Sequence, residues 1–306
     1  MSLTKIIIIC GPTGVGKSQI AIELAKKFQG EIVNADSQQV YIGLDIGTAK
    51  LNLAQTCGIP HHLIDIVTPD KHFDASIFMN LADQAIAEIT SRKNTPFIVG
   101  GTGLYLRLLI NGICEAPAQD PELRKQYEAY IVENGIEYLH ARLRKIDPES
   151  AGVIHPNDRT RIIRALEIFD SCGKTASQFY LEQQNMTKRY QALKIGLNIS
   201  RDQLYARLNA RVEAMLENGW IEEVKELLSR YGSQTQALQA IGYKEIVSHL
   251  QGELKLEELA MQIKQQTRHY AKRQLTWFRG DPEVIWFAPA EMDKIAEKIE
   301  FFLGSN

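Results

Sequence analysis

An α/β fold, a parallel β-sheet flanked by helices with a mainly helical insertion domain, is predicted by three features of this 306-residue sequence. Short apolar runs end in glycine or a polar residue and lead into helical patterns, the alternation that builds parallel sheets with helices on both faces. One of these junctions carries a complete phosphate-binding signature. Between Ile113 and about Leu193 the alternation stops and the chain becomes mainly helical, with no convincing buried strand pair. The expected division is therefore 1–112 with 194–306 for the core domain and its C-terminal helices, and 113–193 for the insertion.

The first element is the run Ile6, Ile7, Ile8, Ile9, which enters Gly11 almost at once and so reads as a buried strand, neither a leader peptide nor a membrane span. Gly11, Pro12, Thr13, Gly14, Val15, Gly16, Lys17 and Ser18 follow, then the helical pattern Gln19 to Phe28. That context makes the sheet P-loop NTPase-like. Gly11, Gly14 and Gly16 let the backbone, Thr13 included, turn its N–H groups inward, and the helix N-terminus adds partial positive charge. Lys17 would neutralise phosphate oxygens, and the Ser18 hydroxyl suits Mg²⁺. The motif leaves open whether the phosphate compound is a nucleotide.

Glu31 to Ala35 is a second strand, with Asp36, Ser37 and Gln38 at its carboxyl end, where ligands sit in open α/β sheets. Tyr41 to Lys50 is a loop over that site, and His61 to Asp65 another short strand with a polar end. Ala75 to Ser91 has helical periodicity, and Pro96 to Val99 leads into a second glycine-rich turn, Gly100 to Gly103. In the insertion, Asp120-Pro121 and Asp147-Pro148 begin helices, and His155-Pro156-Asn157-Asp158 is a turn before a helix from Arg159 to Ser171. Lys194 to Leu197 returns the chain to the sheet. A helix from Arg201 to Leu228, broken near Gly219, follows; then a helix from Gln239 to Leu250, a long one from Lys255 to Trp277, a strand at Val284 to Phe287 and a terminal helix at Glu291 to Leu303.

With 35 basic and 37 acidic residues the net charge is -2, which disfavours a protein that coats nucleic acid by charge alone. A local basic stretch remains: Lys264, Arg268, His269, Lys272, Arg273 and Arg279, with no acidic residue among them. Trp277 in that stretch suits base stacking or core packing. The four cysteines, Cys10, Cys57, Cys114 and Cys172, show no metal-ligand spacing, which favours reduced thiols in the cytoplasm. Adjacent His61 and His62 point to opposite faces of a strand, which argues against a joint metal site.

Asp36 is the strongest acid candidate, as a proton acceptor from a nucleophile or, more plainly, as a helix cap or an outer partner of Mg²⁺. Thr102 could face the same pocket or only close a tight turn. Arg207 and Arg211, four apart, share a helix face, and a guanidinium can hold a diphosphate through paired hydrogen bonds.

The chain resembles the bacterial tRNA dimethylallyltransferases, also called tRNA isopentenyltransferases. The P-loop alone is not specific; its combination with Asp36-Ser37-Gln38-Gln39-Val40-Tyr41, Gly43 to Lys50, Pro60 to Asp65 and Gly100 to Tyr105 is. So are His155 to Asp158 with Arg164-Ala165-Leu166-Glu167, Gly242-Tyr243, and Ala271 to Arg279. The resemblance implies transfer of a dimethylallyl group from dimethylallyl diphosphate to N6 of adenosine 37, in the anticodon loop of tRNA. It implies Asp36 as general base and Thr102 near the bridging oxygen. Gly11, Thr13, Gly14, Gly16, Lys17, Ser18 and Arg211 would hold the diphosphate with Mg²⁺, so the P-loop binds isoprenoid diphosphate rather than ATP. Ser37, Gln38, Gln39, Asp158, Arg159, Arg164, Lys272, Arg273 and Arg279 would contact adenine or tRNA. A channel would admit the two substrates from opposite ends, and the insertion would close on the anticodon arm. A cytoplasmic monomer with no membrane attachment is expected. The competing readings are a small-molecule or nucleotide kinase and an adenylate isopentenyltransferase, the latter disfavoured by the insertion and the basic helix. A guanine-nucleotide switch is disfavoured because no Asn-Lys-x-Asp element is present.

Overall fold

The computed structural model describes residues 3–114, 116–184, 186–233 and 235–304. In chain order the elements are β1 (Lys5–Cys10), α1 (Lys17–Lys27), β2 (Gly30–Asn34), β3 (His61–His62), α2 (Ala75–Ser91), β4 (Thr95–Gly100) and α3 (Gly103–Asn111). There follow α4 (Pro121–Asn134), α5 (Ile136–Ile146), α6 (Pro148–Val153), α7 (Arg159–Cys172) and α8 (Ala176–Gln184). The last part holds β5 (Gln191–Leu197), α9 (Arg201–Glu217), α10 (Trp220–Tyr231), a 3₁₀ turn (Gln236–Gln239), α11 (Tyr243–Leu250), α12 (Leu256–Arg279), β6 (Val284–Phe287) and α13 (Met292–Gly304). Contacts divide the chain into two compact units, 1–110 with 189–306, and 111–188.

In the first unit the strands pair in parallel in the order β3-β2-β4-β1-β5-β6. The isoleucine run of β1 is explained by its central place: Ile8 lies opposite Ile98 on one side and Lys194 on the other. Ile6 and Ile8 face a core with α2, α3 and α10, while Ile7 and Ile9 face a core with α1 and α13. A strand covered on both faces has no polar side, so its sequence does not alternate. Asp74 caps α2, its Oδ1 accepting from the Ser76 and Ile77 amides at 2.9 Å each.

The strand expected over His61 to Asp65 stops after two residues. Leu63 and Asp65 have φ of 62° and 54°, a left-handed backbone that ends pairing. The helix expected from Gln239 starts at Tyr243, because Gly242, at φ 89°, breaks the chain from the preceding 3₁₀ turn.

The second unit packs Tyr127, Leu139, Leu143, Ile162, Ile163 and Leu166 around its own core. Asp120 and Asp147 cap α4 and α6, each with proline at the first helical position. Glu167, fully buried, accepts from the Asp120 amide at 2.7 Å, from Arg124 Nε at 3.0 Å and from Arg164 Nη1 at 2.8 Å. Burial alone would raise its carboxyl, but the bonds from Arg124 and Arg164 outweigh it and hold the group below the usual range. Among the described residues no helix is long and apolar enough to cross a membrane.

Candidate active site

The site lies at the carboxyl ends of β1, β2 and β4, which deliver the P-loop, Asp36 and the Gly100–Gly103 turn to one place. Gly11 is required by contact as well as conformation: its φ is 137°, and a Cβ there would stand 2.6 Å from the Leu197 carbonyl oxygen. Lys17 Nζ donates to the carbonyls of Gly11 at 3.0 Å and Pro12 at 2.9 Å. Burial lowers its ammonium to about 8; Asp36 acts against the shift and Arg211 adds to it. Burial likewise lowers Arg211, with Asp36 again opposing. Two desolvated cations sharing one carboxylate are short of negative charge, which an entering diphosphate would supply.

Two cavities open here. The larger, about 380 Å³, is walled by Gly14, Gly16, Lys17, Ser18, Gln39 and Arg207 among others. The smaller, about 270 Å³, is walled by Ser37, Gln38, Trp220, Tyr243, Tyr270 and Arg273 among others. Four residues line both: Thr13, Asp36, Thr48 and Arg211. Asp36 is fixed at that boundary because its Oδ1 accepts from the amides of Gln38 at 2.9 Å and Gln39 at 3.4 Å. No helix starts at Asp36, so it is not a helix cap: this oxygen closes a turn, while the residue also lines both cavities.

Thr102 does not line either cavity. Its Oγ1 accepts from the Ser37 amide at 3.1 Å, its amide donates to the Ala35 carbonyl at 3.3 Å, and its side chain is hydrogen-bonded to Tyr270. It ties the Asp36-Ser37 turn to the second glycine-rich turn. Lys272 and Arg279 are exposed on α12, outside the cavity walls, whereas Arg273 reaches the smaller cavity. Trp277 is 38% exposed beside Arg107, whose guanidinium lies 4.8 Å from the indole ring. Asp158, Arg159 and Arg164 belong to the second unit: Asp158 caps α7, Arg159 pairs with Glu128, and Arg164 Nη2 donates to the Pro117 carbonyl at 2.7 Å.

The loop over the larger cavity is held by charge. Lys50 Nζ donates to the Tyr41 carbonyl at 2.9 Å and pairs with Asp45 at 2.6 Å and Asp65 at 2.5 Å. Glu223 of α10 accepts from the Asp45, Ile46 and Gly47 amides at 3.0, 2.6 and 3.3 Å and from the Tyr243 hydroxyl at 2.7 Å. That places the Thr48 carbonyl where Gln39 Nε2, at 3.1 Å, and Arg211 Nη2, at 3.4 Å, both reach it. Thr48, Tyr270 and Glu223 were not candidates from the sequence, since their partners lie far along the chain.

Among the described residues no group of three or more His, Cys, Asp or Glu could hold a metal. The oxygen-bearing side chains of the larger cavity include the Ser18 hydroxyl next to Lys17 and the Asp36 carboxylate, with Thr13, Asn34, Gln39 and Thr48 also on its wall. That set fits Mg²⁺ bound largely through the oxygens of a phosphate substrate and water.

The IPP transferase family model matches residues 39–281, and the isopentenyl transferase model matches residues 4–59. A tRNA dimethylallyltransferase 2 of Syntrophus aciditrophicus is 46% identical over 300 residues, covering 98% of this chain and 96% of that protein. The crystal structure of a tRNA isopentenylpyrophosphate transferase from Bacillus halodurans is 42% identical, with a TM-score of 0.74 over 98% of this chain and 96% of that one. A eukaryotic dimethylallyltransferase acting on tRNA is 33% identical, with a TM-score of 0.79 over 97% of this chain and 78% of that one. Matched by the family model over residues 39–281 and by relatives along nearly its whole length, with a P-loop and an acid on the shared wall of two cavities, this protein belongs to the IPP transferase family.

Proposed function

We propose that the protein transfers the dimethylallyl group of dimethylallyl diphosphate to N6 of adenosine 37 in tRNA and releases diphosphate. The observation that carries this reading is the meeting of two cavities at Asp36 and Arg211. The diphosphate occupies the larger cavity, where Lys17 and Arg211 neutralise it and the P-loop amides cradle it. Ser18 would hold Mg²⁺ there, and the ion would supply positive charge against the departing diphosphate. Adenine, flipped out of the anticodon loop, enters the smaller cavity against Tyr270 and Arg273, with Ser37 and Gln38 on its wall.

N6 attacks C1 of the allyl group, the C1–O bond breaks, and its electron pair leaves with diphosphate. The N6 proton passes to Asp36, whose carboxylate the Gln38 and Gln39 amides hold in place. Because an exocyclic amine is a poor nucleophile, alignment at the junction supplies much of the rate. Thr102 acts through the Ser37 amide, keeping that turn in register. Lys272 and Arg279 bind the RNA backbone, and the helical unit, with Asp158, Arg159 and Arg164, takes the anticodon arm. The protein works on tRNA in the cytoplasm as a monomer.

The test is incubation with unmodified tRNA bearing adenosine at 37, dimethylallyl diphosphate and Mg²⁺, followed by nucleoside mass analysis. Dimethylallyladenosine is expected. An unchanged adenosine pool would contradict the reading, and ATP-dependent phosphorylation of a small molecule would favour a kinase.

A further inference from the structure

We infer that Gln274 is a positioning residue for the transfer, a clamp that sets the P-loop against the glycine-rich turn bearing Thr102, which in turn holds the Asp36-Ser37 turn through the Ser37 amide; the inference rests on the proposed reaction. Gln274 lies on α12 and is 6% exposed. Its Oε1 accepts from the Thr13 amide of the P-loop at 2.8 Å, and its Nε2 donates to the Gly101 carbonyl at 3.0 Å. One side chain therefore joins the two glycine-rich turns. The second turn fits it closely, since a Cβ at Gly101 would come 2.2 Å from Nε2.

The chemistry of the position selects an amide. One half-buried backbone donor and one buried backbone acceptor need an acceptor and a donor at the end of one side chain. A leucine satisfies neither, and an ionised glutamate satisfies Thr13 but sets a carboxylate against the Gly101 carbonyl. The helix behind the amide is anchored in turn. Arg268 Nη1 donates to Asn209 Oδ1 of α9 at 2.7 Å, Lys264 pairs with Glu213 of α9, and Ala271 packs on Leu204 and Leu208. Helix α9 also carries Arg207 and Arg211. Thus the clamp refers the P-loop, the Asp36 turn and the arginines to one frame. Gln274 does not itself line either cavity but bonds residues that do, Thr13 and Tyr270, so it acts through the groups it holds.

Gln274→Leu and Gln274→Glu test this by steady-state kinetics with each substrate, alongside thermal unfolding. The titratable group hydrogen-bonded to Gln274 is Tyr270, which burial keeps protonated over the assay range. Gln274→Leu is expected to melt above the assay temperature yet lose kcat by about 10- to 100-fold, with KM for tRNA within about two-fold of the parent. Gln274→Glu is expected to recover activity as pH falls toward about 6, where a protonated carboxyl reproduces both hydrogen bonds. Neither the parent nor Gln274→Leu would show that recovery. A folded Gln274→Leu with kcat within about two-fold of the parent would overturn the inference. So would losses in both variants that follow melting temperature alone and ignore pH. An inactive parent protein would instead refute the reaction itself.

Discussion

In the proposed reaction Asp36 takes the proton by virtue of position: it lies just past the carboxyl end of β2, its Oδ1 is held by two amides, and it lies on both cavities. Asp36→Ala is expected to lower kcat by about 10²- to 10⁴-fold while leaving most of the tRNA affinity, measured by filter binding. Near-parental turnover would show that the base is another group. Lys17 gives a second test at this scale. Its ammonium sits at about 8 without ligand, and a bound diphosphate would raise it. Binding above that pH therefore takes up a proton. Affinity for a non-transferable diphosphate analogue should weaken as pH rises through about 8, by up to about ten-fold per unit. Calorimetry in buffers of different ionisation heat reads the proton uptake directly, and an affinity flat across this range would contradict the assignment.

At the scale of elements, helix α12 does two jobs with two faces. Its buried face presents Tyr270 and Gln274 to the glycine-rich turns, and its exposed face presents Lys272 and Arg279. Lys272→Ala is expected to weaken tRNA binding and reduce the slope of log K against log salt by roughly 0.7 to 0.9. A loss with unchanged slope would point to damage of the helix. Strand β2 has its own dependence. Its buried Glu31 accepts from Arg92 Nε at 2.9 Å and Asn94 Nδ2 at 2.8 Å, and contacts His62 Nε2 at 2.7 Å. Hydrogen bonding from Arg92, against the opposing effect of burial, lowers the carboxyl to about 2 from an ordinary 4.5. A depressed carboxylate contributes stability present above the unfolded value and lost as pH falls toward about 2. Glu31→Gln is expected to cost about 1–3 kcal/mol in denaturant unfolding near neutral pH, with a weaker acid dependence than the parent.

For the whole molecule, the parts legible in the sequence are those whose signal is local. The isoleucine run, the P-loop, the proline-capped helices of the insertion and the break at Gly219 each declare themselves within a few residues. Asp36 was legible because it follows a strand. The clamp was not: Thr13 and Gln274 are 261 positions apart, and nothing in a helical pattern distinguishes a glutamine facing a turn from one facing water. The same distance hid Glu223, which holds a loop 176 to 178 residues away. Thr102 is an intermediate case, since its turn is evident in the sequence but the partner of its hydroxyl, the Ser37 amide 65 residues away, is not.

The junction of the two cavities is most directly tested by mapping where the prenyl group goes. Labelled dimethylallyl diphosphate is supplied with two tRNAs that differ only in adenosine or guanosine at position 37, and the products are digested and sequenced by mass. Label on the anticodon-loop fragment of the adenosine tRNA alone is the predicted result. Label on both tRNAs, or at another nucleotide, would contradict it.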